Sequence, residues 1–114
     1  MSMINDEGPI TSRSLLALQA FELATRAGSF KAAAEQLHIT SSAVSHRIAG
    51  LEKMLGEKLF ERGPRGVVPS PAGRLLAATT GRAFGDLSRA LARQSAGSQR
   101  LRVSAVPIFA SHWL

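Results

Sequence analysis

The chain of 114 residues contains no cysteine. It therefore holds neither a disulfide framework nor a thiolate metal site. No apolar run approaches a membrane span, and the first residues lack the basic-then-apolar plan of a signal peptide. The expected location is cytoplasmic, with no membrane partner. Acidic residues are scarce in the second half. Residues 62–114 carry eight arginines and one acid, Asp86, whereas residues 1–61 carry six basic and seven acidic side chains. Under a net charge of +6, this asymmetry points to a polyanionic partner such as nucleic acid. Arginine-rich helices that are simply soluble would look the same, and charge alone does not separate the two. Catalytic patterns are also missing. His38, His46 and His112 are scattered without metal-ligand spacing. Ser42 and Ser45 have no acid placed to orient His46. There is no glycine-rich phosphate loop. No enzyme activity, metal or cofactor is expected.

What is present is centred on residues 29–55, SFKAAAEQLHITSSAVSHRIAGLEKML. Ser29 suits an N-cap. Phe30, Ala33, Ala34 and Leu37 then recur at helical spacing. His38-Ile39-Thr40 interrupts the pattern, and Thr40 caps a second helix. At about 100° per residue, Val44, Ile48, Leu51 and Leu55 fall on one narrow apolar stripe. Ser42, His46, Ala49 and Lys53 fall on the opposite side, small and polar at the N-terminal end. That end also carries free N–H groups and a partial positive charge, which suit a phosphate. A helix-turn-helix needs this arrangement, because its second helix enters the major groove N-terminal end first. These residues alone leave open a small helical bundle whose outer face is merely solvated.

The flanks extend the pattern. Residues 1–12 have no period, are broken by Gly8-Pro9, and are expected to be a disordered tail. Residues 14–27 form a first helix, apolar over much of its girth and ended by Gly28. Gly56 ends the helix after Leu55. A short strand around Leu59, Phe60 and Arg62, a turn at Gly63-Pro64-Arg65-Gly66 and a return strand at Val67-Val68 make the wing of a winged helix. Ser70 and Pro71 open a long helix to about Ser95. Its apolar stripe of Leu76, Thr80, Phe84, Leu87 and Leu91 asks for a partner helix, and Arg82, Arg89 and Arg93 form a solvated face. Ala96-Gly97-Ser98 reads as a hinge, residues 100–106 as a strand, and residues 107–114 as a loop entering a helix. The fold class is mainly α: a three-helix winged helix-turn-helix with a two-stranded wing, followed by a long helix that asks for a partner.

The run Ala33-Ala34-Glu35-Gln36-Leu37, Ser42-Ala43-Val44-Ser45, Ile48, Leu51-Glu52, Leu55-Gly56, Leu59-Phe60, Arg62 and Pro71-Ala72-Gly73 resembles the DNA-binding domain of the LysR-type transcriptional regulators. Residues 105–114 resemble the branch that includes the glycine cleavage activator. The resemblance implies a DNA-binding domain at residues 13–70, with the helix-turn-helix at about 30–49. It implies a linker helix at 71–96 that pairs with its twin, and a hinge and first part of an effector-binding domain at 97–114. About two hundred further residues would belong to that domain, together with a small-molecule effector and a possible tetramer. The partner would be double-stranded DNA. Ser41, Ser42, Ser45 and His46 would face the major groove. Lys31, Thr40, Lys53, Arg62 and Arg65 would hold the backbone, the two wing arginines reaching phosphates or the adjacent minor groove; a solvated arginine on a hairpin is their bland alternative. Many members of the family have Gln where this chain has Ser41 and Arg where it has His46, so the operator sequence does not carry over. An interaction module that pairs with full-length regulators without specific DNA binding is the alternative function.

Overall fold

The computed structural model describes residue 8 and residues 10–99, with side-chain surroundings through residue 95. The order is α1 (Ser12–Ala27), α2 (Phe30–Leu37), α3 (Ser41–Leu55), β1 (Phe60–Gly63), β2 (Gly66–Pro69) and α4 (Pro71–Gln99). Most of the expected N-terminal tail, and the strand and loop expected over residues 100–114, lie outside the described residues. The chain divides inside α4 into two units, residues 1–77 and 78–114.

Local chemistry sets most boundaries. Ser29 Oγ accepts from the Ala32 N–H at 3.1 Å, and Thr40 Oγ1 accepts from the Ala43 N–H at 3.0 Å. Gly28 and Gly56 close α1 and α3 with φ of 68° and 74°. α1 begins two residues earlier than the apolar pattern indicates. Thr11 and Ser14 form a reciprocal capping box, with Ser14 Oγ accepting from the Thr11 N–H at 2.8 Å and Thr11 Oγ1 from the Ser14 N–H at 3.1 Å. α2 ends on His38, which takes the left-handed conformation (φ 59°). At the other end of the chain, α4 runs through Ala96-Gly97-Ser98, read as a hinge from composition, to Gln99.

The core of the first unit joins Ala17 and Phe21 of α1, Leu51 of α3 and Leu59, with Leu18, Phe60, Ala72, Leu76 and Ala77 packed against it. Val44, Ile48 and Leu51 are buried as the stripe requires, but Leu55 is 47% exposed. α3 terminates at that residue. Leu59, four residues further on and 1% exposed, fills the core instead.

The wing is one antiparallel pair, with Phe60 opposite Pro69 and Gly63 opposite Gly66. Among the described non-glycine residues only His38 has positive φ. Arg65 therefore has negative φ, so the Pro64-Arg65 turn is of the type I class rather than type II. α4 starts against the wing. A Cβ on Gly73 would lie 2.1 Å from the Leu59 carbonyl oxygen, so this first turn packs backbone to backbone.

Candidate nucleic-acid interface

The N-terminal end of α3 is built as a donor surface. Thr40 uses its hydroxyl oxygen as an acceptor for the Ala43 N–H, which leaves its O–H proton free to donate outward. The N–H groups of Ser41 and Ser42, in the first turn, have no intrahelical acceptor. Ser41, Ser42, Ser45 and His46 are all exposed, while Val44 and Ile48, on the other side of the same turns, are buried. One edge thus offers backbone donors, four hydroxyls and an imidazole. Lys31 is exposed in the first turn of α2. Lys53 is exposed too, but twelve residues separate it from Ser41, about 18 Å along the axis. It does not join the cluster at the helix tip.

The wing and its flanks are tied to their surroundings at three points. The Phe60 ring sits 5.2 Å from that of Phe30 in a T-shaped pair and 5.5 Å from that of Phe21. The Leu59 N–H donates to Glu52 Oε2 at 2.8 Å. From the other side, Ser70 Oγ donates to the Lys58 carbonyl at 2.7 Å, and the Ser70 N–H donates to the Leu59 carbonyl at 2.9 Å. Lys58 also lies 3.9 Å from Glu52, but with its side chain 82% exposed that pair adds little. Arg62 and Arg65 are exposed, Arg65 within the turn and Arg62 opposite Val67.

Glu52 is the functional residue that site reasoning from sequence missed. It stands in the Leu51-Glu52 pair of the motif, on the recognition helix. Its use is to fix where the wing begins. Helical spacing gives no sign of this, because the acceptor matters only once the Leu59 N–H has been brought to it.

The expected dimer stripe is divided. Leu76 packs against the core cluster of the first unit. Thr80 and Phe84 are each 5% exposed, and Ser88 is buried beside them in sequence at the same four-residue spacing. Leu87 and Leu91 remain about half exposed. Arg82, Arg89 and Arg93 are exposed, and Arg89 pairs with Asp86. Among the described residues, no three His, Asp or Glu form a group able to hold a metal, and no helix is long and apolar enough to cross a membrane.

Comparison with known proteins gives this geometry a context. The sequence profile of the bacterial regulatory helix-turn-helix proteins of the lysR family matches residues 15–74. The chain is 43% identical over 104 residues to the HTH-type transcriptional activator AmpR of Rhodobacter capsulatus, covering 88% of this chain and 35% of that protein. It is 41% identical over 102 residues to the glycine cleavage system transcriptional activator of Escherichia coli (strain K12), covering 88% and 33%. The chain thus spans about a third of the length of the curated relatives it matches. In structure it is similar to a BenM_DBD/benA site 1 DNA complex, with a TM-score of 0.64 and 29% identity over 70% of this chain and 90% of that one. It is likewise similar to a CbnR_DBD–DNA complex, with a TM-score of 0.60 and 28% identity over 74% and 97%.

Proposed function

Because the chain belongs to the lysR family of bacterial regulatory helix-turn-helix proteins, we propose that it is a sequence-specific, double-stranded-DNA-binding regulator of transcription and not an enzyme, working in the cytoplasm. α3 enters the major groove with Ser41, Ser42, Ser45 and His46 against base edges. Thr40, the free N–H groups of the first turn and Lys31 hold the phosphates on either side. Arg62 and Arg65 carry the wing onto the backbone or minor groove, and Lys53 meets the backbone further along. The observation that carries this reading is the juxtaposition at α3. Its exposed, donor-rich N-terminal edge belongs to the same rigid core as a wing held by Glu52 and Phe60, and solved relatives of this shape are DNA complexes.

Two copies pair through α4. Leu87 and Leu91, four residues apart and about half exposed, supply the open part of the seam. A small-molecule effector belongs to a C-terminal domain of the kind that the longer relatives have room for.

The salt dependence of duplex binding tests the reading. Each phosphate contact contributes roughly 0.9 to the slope of log K against log salt. Arg65→Ala and Lys31→Ala should each lower the slope by about 1 on specific and random duplexes alike. An unchanged slope for both variants would remove the wing and α2 from the interface.

A further inference from the structure

Between the first turn of α1 and α3 lies a groove of about 600 Å³, lined by Arg13, Ala17, His46, Arg47, Gly50, Lys53 and Met54 among others. Its floor is apolar: Ala17 and Leu51 are buried, and Met54 is open to solvent at 52%. Its rim is cationic. None of the lining residues is acidic, and among the described residues Arg13, Arg47 and Lys53 have no carboxylate partner.

Gly50 is the second observation. In the interior of a helix, glycine costs about 1 kcal/mol relative to alanine. The fold does not require it, because a Cβ at Gly50 would meet no atom within 4 Å. The contrast with Gly73, where a Cβ would meet the Leu59 carbonyl oxygen at 2.1 Å, is sharp. The missing side chain at Gly50 leaves the groove floor open. Phosphates alone do not account for such a site. They need the cations, but gain nothing from an apolar floor or an exposed methionine, and pressing them onto apolar surface carries a desolvation penalty. Methionine at a surface is suited to adaptable apolar contact with another protein.

We infer that this groove docks an acidic amphipathic segment of a protein partner. Its apolar side chains rest on Ala17, Leu51 and Met54 beside Gly50, and its Asp and Glu side chains meet Arg13, Arg47 and Lys53. The inference goes beyond the DNA reading, and His46 and Lys53 belong to both surfaces.

The probe is a fluorescein-labelled peptide of about 15 residues, long enough to form helix, with leucines at i, i+3, i+4 and i+7 and glutamates between them. Its binding to the full chain is followed by anisotropy. The expected result is saturable binding, weakened about tenfold or more by Gly50→Leu, which fills the floor, by Arg13→Glu, and by replacing the peptide leucines with serine; tenfold is about 1.4 kcal/mol. Circular dichroism and the unfolding midpoint of Gly50→Leu confirm that it folds, and the solvent-exposed Arg13 gives an independent variant. Absence of binding to the wild-type chain would overturn the proposal. So would equal affinity for the serine peptide, which means charge attraction only. So would a Gly50→Leu variant that loses duplex DNA while keeping the peptide, which assigns the groove to the nucleic acid.

Discussion

His38 closes α2 in a conformation that costs an ordinary L-residue about 1–2 kcal/mol, with φ of 59°. Its N–H reaches back to the Ala34 and Glu35 carbonyls, and the Ile39 N–H to the Ala34 carbonyl. These bonds hold the turn, and none needs the imidazole. His38→Gly should therefore raise the free energy of unfolding by about 0.5–1 kcal/mol, once the flexibility gained by the unfolded chain is set against the strain removed. Urea denaturation measures it, and a loss of stability would show that the imidazole matters. His46 is the opposite case, an exposed side chain on the α3 edge proposed to face the groove. His46→Ala should cost about 1–3 kcal/mol on the chain's own site and far less on random duplex if the imidazole reads a base. An equal loss on both would make it a phosphate contact. Ser41 is too short for the bidentate adenine contact that a glutamine makes, so this position cannot supply that kind of recognition.

At the scale of elements, the segment around Leu59 decides the geometry. Its N–H is held by Glu52 of α3, its carbonyl accepts from Ser70 at the start of α4, and its side chain fills the core. Gly73→Ala should destabilise the fold by about 1–3 kcal/mol, because the added methyl runs into the Leu59 backbone and the first turn of α4 must shift; thermal unfolding reads the change. Glu52→Gln is milder. It keeps an acceptor for the Leu59 N–H but loses the charge, so the wing should be held less tightly against α3. The energetic effect of Arg65→Ala on DNA binding should then shrink in the Glu52→Gln background, a coupling that a double-mutant cycle measures. Full additivity would mean that Glu52 does not position the wing.

These same elements show what the sequence makes legible. Ser29, Thr40, Gly28, Gly56 and the Ser70-Pro71 pair mark their boundaries because each acts on backbone within four residues of itself. The buried face of α3 follows from spacing as far as Leu51. Leu55 does not, since periodicity continues on paper after α3 has lost its packing partner. The Glu52–Leu59 bond and the meeting of Phe60 with Phe21 and Phe30 join residues that only the folded chain brings together. The site is legible as an exposed edge of α3. The distance between that edge and Lys53 also follows from the helical rise alone, twelve residues at about 1.5 Å each.

On the scale of the whole molecule, charge and symmetry remain. The arginine excess lies in residues 62–114. The wing contributes Arg62 and Arg65 to it, while in α4 Arg74 donates to the Pro69 carbonyl, Arg89 pairs with Asp86, and Arg82 and Arg93 are exposed. The pairing proposed through Leu87 and Leu91 would give two copies a two-fold symmetry. Leu87→Glu combined with Leu91→Glu should convert dimer to monomer in sedimentation while leaving the helical signal of the first unit intact. A variant that remains dimeric would place the seam elsewhere. The account rests most directly on selection of duplexes from a random pool, sequenced after retention at low and at physiological salt. It predicts a two-fold-related motif with half-sites about one helical turn apart, 10–10.5 base pairs, surviving at the higher salt. Retention that is blind to sequence and vanishes as salt rises would contradict a groove-reading role for the α3 edge, leaving only an electrostatic attraction to the phosphates.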